Sequence, residues 1–335
     1  LIRHAKAQKA SDIHICAGAP ILLRIGKDLI PSTPGTLTPE ICERMAMEIL
    51  NPAQAEQFRS QLDYDMMISD GEGRYRVNIS INDQAIGIVI RILPEEVASL
   101  DDLHLPSVVK VLATQTKGLV LITGSTSQGK TSTMSGIIHE INVNQRRNIV
   151  TIEDPIESAH VNIKSIVRQR EVGRDTKSFY SGLRAALRQD PDVIAIGEMR
   201  DYETIKIALT AAETGVLVLS TLHVISIDKL IERLLSYSPS EDKGHLRFLL
   251  AGALQGVIHQ ELLPALDKGK RVACEVLIAT DAAKNVIRRR DSFMLRNIIH
   301  TGGQHGMITM RQSVNELLDE GLISAEVAEN VLVNY

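Results

Sequence analysis

The stretch from Gly118 to Ser132, GLVLITGSTSQGKTS, leaves the chain few folds to choose from. A run of β-favouring apolar residues ends in Gly124, and GSTSQGKT at 124–131 fits the phosphate-loop spacing G-x-x-x-x-G-K-[ST]. Such a loop must turn consecutive backbone N–H groups toward phosphate oxygens, so Gly124 and Gly129 supply conformations and a close approach that a side chain would block. Ser125, Thr126, Ser127 and Gln128 lie between them as the cradle. Lys130 is placed to reach the β and γ phosphates, Thr131 to hold Mg²⁺ through its hydroxyl, and Ser132 lies in the first turn of a helix whose positive end faces the anion. The next residues, TSTMSGIIHEI, set Met134, Ile137, Ile138 and Ile141 at helical spacing. A plain glycine-rich turn is the competing reading, and this strand-then-helix setting argues against it. The expectation is a nucleoside triphosphate site.

A chain of 335 residues exceeds the usual size of one core, so two domains are expected. Lys plus Arg number 37 and Asp plus Glu 41, a formal charge of −4, so no global basic field invites nucleic acid. Trp is absent and aromatics are 3%, which leaves few surfaces for stacking bases. Cys16, Cys42 and Cys274 are far apart and form no C-x-x-C pair, so they read as small buried hydrophobes rather than a disulfide framework or zinc site. That usage suits the cytoplasm. No apolar run approaches the roughly 20 residues that span a bilayer and no leader is visible at the amino end, so no direct membrane insertion is expected.

Texture changes along the chain. In residues 1–97, short strand patterns (11–16, 21–26, 75–81, 86–93) alternate with one helical stretch at 38–50, where Thr38 is the cap and Pro39 the entry. This reads as a small α+β domain. Residues 98–117 read as a linker, and the wider 94–117 segment as a hinge. From 118 to 335 the pattern is α/β: the apolar strands 118–124, 148–154, 192–198 and 216–223 are separated by helices, which implies a mostly parallel sheet buried on both faces. From about 226 the chain reads as largely helical, with helices at 228–237 and 245–263, a hairpin at 270–280, and helices at 313–321 and 324–332.

Open parallel sheets bind ligands at the carboxyl ends of their strands. Glu153, Asp154 and Glu157 follow one strand, Glu198 ends another and His223 a third. Each alone reads as a cap, a solvated loop or a satisfied polar group. A phosphate loop in the same sheet makes them candidates for activating water and holding a metal.

The loop, the box TIEDPIE (151–157), the segment DPDVIAIGEMRD (190–201) and AAETGVLVLSTLH (211–223) resemble, in order and spacing, the secretion-ATPase superfamily that powers type II secretion and type IV pili. ASDIHICAGAP (10–20), RYRVN (74–78), RQREVGRDT (168–176) and TGGQHGMITM (301–310) look most like the pilus retraction ATPases, the PilT family. The four-cysteine insertion frequent in extension and secretion members is absent. The resemblance implies a RecA-like P-loop NTPase domain behind a small PAS-like domain. It also implies ATP and Mg²⁺ as ligands, a homo-hexamer, and a cytoplasmic motor held at the inner-membrane face by a pilus platform protein.

Residue by residue, the resemblance makes Lys130 and Thr131 the loop lysine and Mg²⁺ ligand, and Glu157 the general base for water. Glu198 becomes the Walker B carboxylate near Mg²⁺, His223 the second histidine of the His box, and Arg76 and Arg91 the arginines that close over the γ-phosphate. Departures stand beside these matches. Ser125, Ser127, Gln128 and Thr131 replace Pro, Gly, Ser and Ser of the usual loop, and Val216 and Val224 replace a first histidine and a Thr of the His box. Loss of that imidazole is expected to weaken catalysis or phosphate sensing.

The implied function is ATP hydrolysis driving pilus retraction, with depolymerisation of pilin and twitching motility as its output. Pilus extension, secretion, and a nucleotide-binding subunit of low turnover stay open as alternatives. A nucleic-acid motor is disfavoured, since the run Arg288, Arg289 and Arg290 reads as a solvated helix face.

Overall fold

The computed structural model describes residues 1–70, 73–93, 97–267, 269–333 and 335. Residues 94–96, the start of the expected hinge, lie outside them. The chain forms two compact units, Leu1–Glu96 and Val97–Tyr335.

The first unit runs α1 (Ile2–Ala7), β1 (Asp12–Ile15), β2 (Leu22–Ile25), β3 (Asp28–Pro31), α2 (Pro39–Ile49), α3 (Pro52–Gln61), β4 (Asp63–Asp70), β5 (Gly73–Asn82) and β6 (Ala85–Ile92). Its strands form one antiparallel sheet in the order β3-β2-β1-β6-β5-β4. Alternation along β5 buries Tyr75, Val77 and Ile79 completely and turns Arg76 and Asn78 outward. Thr38 and Pro39 open α2 as expected. Polar α3 has too little amphipathic signal to be read from sequence. It is fixed by Asn51, whose side chain accepts from the Gln54 N–H while Gln54 returns the bond. β3 was also unread: it is a fully exposed edge strand, so it carries no inward-facing pattern.

The second unit begins with α4 (Val108–Ala113), β7 (Gly118–Thr123), α5 (Lys130–Asn144), β8 (Asn148–Glu153), β9 (Ile166–Glu171), α6 (Phe179–Ala186), β10 (Val193–Glu198), α7 (Tyr202–Glu213) and β11 (Leu217–Leu222). It continues with α8 (Ile227–Ser236), α9 (Lys243–Ala253), β12 (Leu254–Pro264), β13 (Lys270–Ile278), α10 (Asp281–Arg288), α11 (Met294–Thr301), α12 (Met310–Asp319) and α13 (Ala325–Leu332). The sheet order is β13-β12-β7-β11-β10-β8-β9, and every neighbouring pair is parallel except β12 with β13. This is the mostly parallel α/β sheet expected of the second domain.

All six residues of β7 are buried, and so are all six of β11, because helices cover both faces. Each fully buried Leu or Ile contributes about 1.5–3 kcal/mol relative to exposure. Leu100, Val109 and Leu112, from the 98–117 segment, pack into the second unit's core against Met134 and Ile137 of α5.

Two elements differ from the sequence reading. The helix expected over 245–263 stops at Ala253, and residues 254–264 form β12, which pairs with β7 on one side and β13 on the other. Residues 254–264 mix apolar residues with Gln255, His259, Gln260 and Glu261 in no clear period, so the pattern does not separate strand from helix. The hairpin expected within 270–280 does not form either: Lys270–Ile278 is the single strand β13, antiparallel to β12, so the carboxyl part carries two strands among its helices. α12 ends near Gly321, whose φ of +68° is the left-handed stop expected there.

Candidate functional site

The parallel sheet brings the carboxyl ends of β7, β8, β10 and β11 to one edge. Between β7 and α5 the chain turns through Gly124 (φ +145°) and Gly129 (φ +78°). At Gly124 an added Cβ would lie 2.5 Å from the Gln260 carbonyl oxygen, so backbone space as well as conformation requires glycine. Ser127 also takes positive φ, +65°, which costs a side chain about 1–2 kcal/mol. Neighbouring strand β12 steadies the loop there: Gln260 Nε2 donates to the Gln128 carbonyl, and the Leu262 N–H donates to Gln128 Oε1, both at 2.5 Å.

Lys130, the first residue of α5, is buried. Its Nζ donates to the carbonyls of Gly124 (2.9 Å) and Ser125 (2.5 Å) and lies 3.4 Å from His223 Nδ1. Burial lowers its pKa, and the charge of Glu198 partly opposes that. The pKa of His223 is lowered by burial and then by Lys130, partly offset by Glu198. His223 Nε2 stands 3.7 Å from Glu198 Oε2, and Arg200 Nε is 2.5 Å from the same oxygen. Three sequence-predicted residues thus converge on one point. Arg200 was not foreseen, though it lies two residues beyond Glu198 in the same segment.

A hollow of about 420 Å³ opens over the loop, within the range of small-ligand sites. Thr126 through Ser132 line it, together with Glu153, Asp154, Glu157, Glu198 and His223. Glu157 is exposed at its rim. Glu153 is buried and engaged instead, accepting from Thr151 Oγ1 (2.6 Å) and Gln169 Nε2 (3.0 Å), which marks it as a positioning group for the β8 end. Val216 lies elsewhere. Its carbonyl accepts from the N–H of Gly118 at the start of β7, the far edge of the sheet.

Arg76 and Arg91 form their own cluster in the first unit. They are directly paired across β5 and β6 and line a concavity of about 330 Å³ with Asp12, Asp65 and Asn78. Arg91 Nε donates 2.8 Å to Asp12 Oδ1, and Arg76 lies 3.8 Å from Asp65. Burial raises the Asp12 carboxyl, but bonds from Arg91 and Ser11 outweigh it and hold it below its usual range.

Among the described residues no cluster of three or more His, Cys, Asp or Glu side chains could hold a metal, and no helix is long and apolar enough to cross a membrane. Arg288, from the basic run, lies over the ring of Phe248.

The chain is similar along almost its whole length to known proteins. The family model described as Type II/IV secretion system protein matches residues 1–328. The Type IV pilus retractation ATPase PilT of Pseudomonas aeruginosa is 39% identical over 329 residues, 98% of this chain and 96% of that protein. A twitching motility protein of Neisseria gonorrhoeae is 38% identical over 330 residues, 98% and 88% of the two chains. The crystal structure of the pilus retraction motor PilT with bound ADP superposes with a TM-score of 0.91 at 39% identity, covering 98% of this chain and 94% of that one.

Proposed function

The chain belongs to the type II/IV secretion system protein family, and we propose that it is an ATP-hydrolysing motor that drives retraction of a type IV pilus. The observation that carries this reading is the meeting of Lys130, Glu198 and His223 beside a phosphate loop whose fixed positions are intact. ATP and water give ADP and phosphate. Backbone N–H groups of 124–131 and the Lys130 ammonium bind the β and γ phosphates. Glu157 takes the proton of the attacking water, and His223, hydrogen-bonded to Lys130, reads the γ-phosphate position. Arg76 and Arg91 supply positive charge to the γ-phosphate, an effect worth about 10³–10⁵ in rate where such arginines act.

The residues present suit Mg²⁺. Glu198 Oε2 is buried with the Arg200 ion pair but no well-aligned hydrogen bond, and Thr131 offers a hydroxyl, both hard oxygen donors of the kind Mg²⁺ takes in small number. When bound, the ion neutralises charge on the phosphates. Thr131 and Glu198 would hold it.

The working assembly is a homo-hexamer in the cytoplasm, attached to the inner-membrane face through a pilus platform protein. Hydrolysis moves the small domain against the nucleotide domain, and this motion depolymerises pilin. A deletion strain scored for surface pili tests the direction: excess pili support retraction, and bald cells mean extension. Purified chain that binds ATP yet never turns it over refutes the motor.

A further inference from the structure

Two side chains, those of Thr123 and His259, connect the phosphate loop to Tyr335, more than two hundred residues later. Thr123, the last residue of β7, is completely buried, and its Oγ1 lies 3.0 Å from Nδ1 of His259, itself 1% exposed. His259 Nε2 is 2.7 Å from the Tyr335 hydroxyl, which donates 2.7 Å to Glu261 Oε1. The direction of every bond follows. A phenol has one proton, and Tyr335 gives it to Glu261, so it accepts from His259 Nε2–H. Burial keeps the imidazole neutral, with its pKa lowered to about 4, so Nδ1 carries a lone pair and takes the Thr123 proton.

The relay shares a strand with the loop's other supports. His259 and Glu261 project from one face of β12 toward Tyr335, and Gln260 from the other toward Gln128. Tyr335 is carried there by packing beside α12 and α13 on Leu263, Met310 and Val331.

We propose that His259 and Tyr335 are positioning residues for nucleotide binding, which make the geometry of the phosphate loop depend on how Tyr335 is seated. The inference rests on the reading of 124–131 as a nucleotide site. Thr123 precedes Gly124, where the chain has no slack because the Gln260 carbonyl fills the space a Cβ would need. Freeing the Thr123 hydroxyl therefore loosens the entry to the loop.

The test is a double-mutant cycle in the full chain, read as the Kd of a fluorescent ADP analogue with Mg²⁺. Thr123→Val and Tyr335→Phe each weaken binding about 3- to 10-fold, the size expected when one buried hydrogen-bond partner is removed. The double variant is no weaker than the weaker single, because a relay broken once is broken. KM for ATP rises with kcat held within about 2-fold, and Glu261→Gln, which still accepts from Tyr335, binds like wild type. Multiplicative effects in the double variant, or unchanged Kd in Tyr335→Phe, overturn the inference even if melting temperatures fall. Wild type that fails to bind the analogue refutes the nucleotide site itself.

Discussion

Val216 and His223 stand at opposite ends of β11, and only His223 faces the phosphate loop. Leu217 is in register with Gly118 and Leu222 with Thr123, so the two positions lie about 23 Å apart at about 3.3 Å per residue. Val216 is fixed at the far edge by its carbonyl bond to Gly118 N–H and packs against the core. The missing imidazole therefore sits beyond reach of any phosphate held by Lys130. Val216→His is expected to change kcat and KM for ATP by less than about 2-fold, as steady-state hydrolysis would show.

Glu157 and Glu198 share the hollow but not the surroundings. Glu157 is exposed at the rim, free to approach a water, whereas Glu198 is held by Arg200 at 2.5 Å with His223 close behind. Glu157→Gln keeps shape and hydrogen bonding but removes the base, so kcat falls about 10²–10⁴-fold. Glu198→Gln also abolishes turnover. Both variants still bind ADP, which calorimetric titration checks; retained hydrolysis in Glu157→Gln would assign the base elsewhere.

The strand, loop and helix around Gly124 were legible because one chemistry demands them, and the carboxylates followed from their place after apolar strands. β12 was not legible. Its mixed apolar and polar residues have no period that separates strand from helix, so the residues that brace the loop, His259 through Leu262, were hidden inside an expected helix. Gln128 and Ser127 were visible only as departures from a pattern. The structure gives Gln128 a partner in Leu262 and shows that Ser127 carries a positive φ, which no spacing rule reports. Without the family resemblance Arg76 and Arg91 read as ordinary strand residues, and the register sets them side by side.

Two largely buried groups, His160 and Glu275, tilt the pH dependence of stability in opposite directions. His160 has its pKa lowered to about 4, first by burial and then by His139. Between pH about 6.5 and 4 the unfolded chain binds a proton the folded chain refuses, so this contribution, about 3 kcal/mol, is full above 6.5 and lost toward 4. Glu275 has its pKa raised to about 7, chiefly by burial. Here the folded state holds the extra proton, so stability is full below about 4.5 and falls by about 3 kcal/mol as pH rises to about 7. Urea unfolding across this range should show His160→Gln gaining on wild type at acid pH and Glu275→Gln gaining at pH 8. A wild-type minus variant difference that stays flat would refute the corresponding assignment.

Gln128 joins the loop to β12 through a bond that the serine usual at this position is too short to make. Its Oε1 accepts the Leu262 N–H, while its backbone carbonyl takes Gln260 Nε2 whatever the side chain. Gln128→Ser therefore removes one bond and leaves the Leu262 N–H without its acceptor. A half-buried donor left so costs about 1 kcal/mol, the low end of the buried range. The expected result is a lower urea midpoint with an unchanged slope, since the compactness of neither state alters. Because the Gln260 bond persists, the loop keeps its path and ADP affinity drops less than about 3-fold. If Gln128→Ser leaves the midpoint where it was, the side-chain bond to Leu262 contributes nothing, and the loop is held by Gln260 alone.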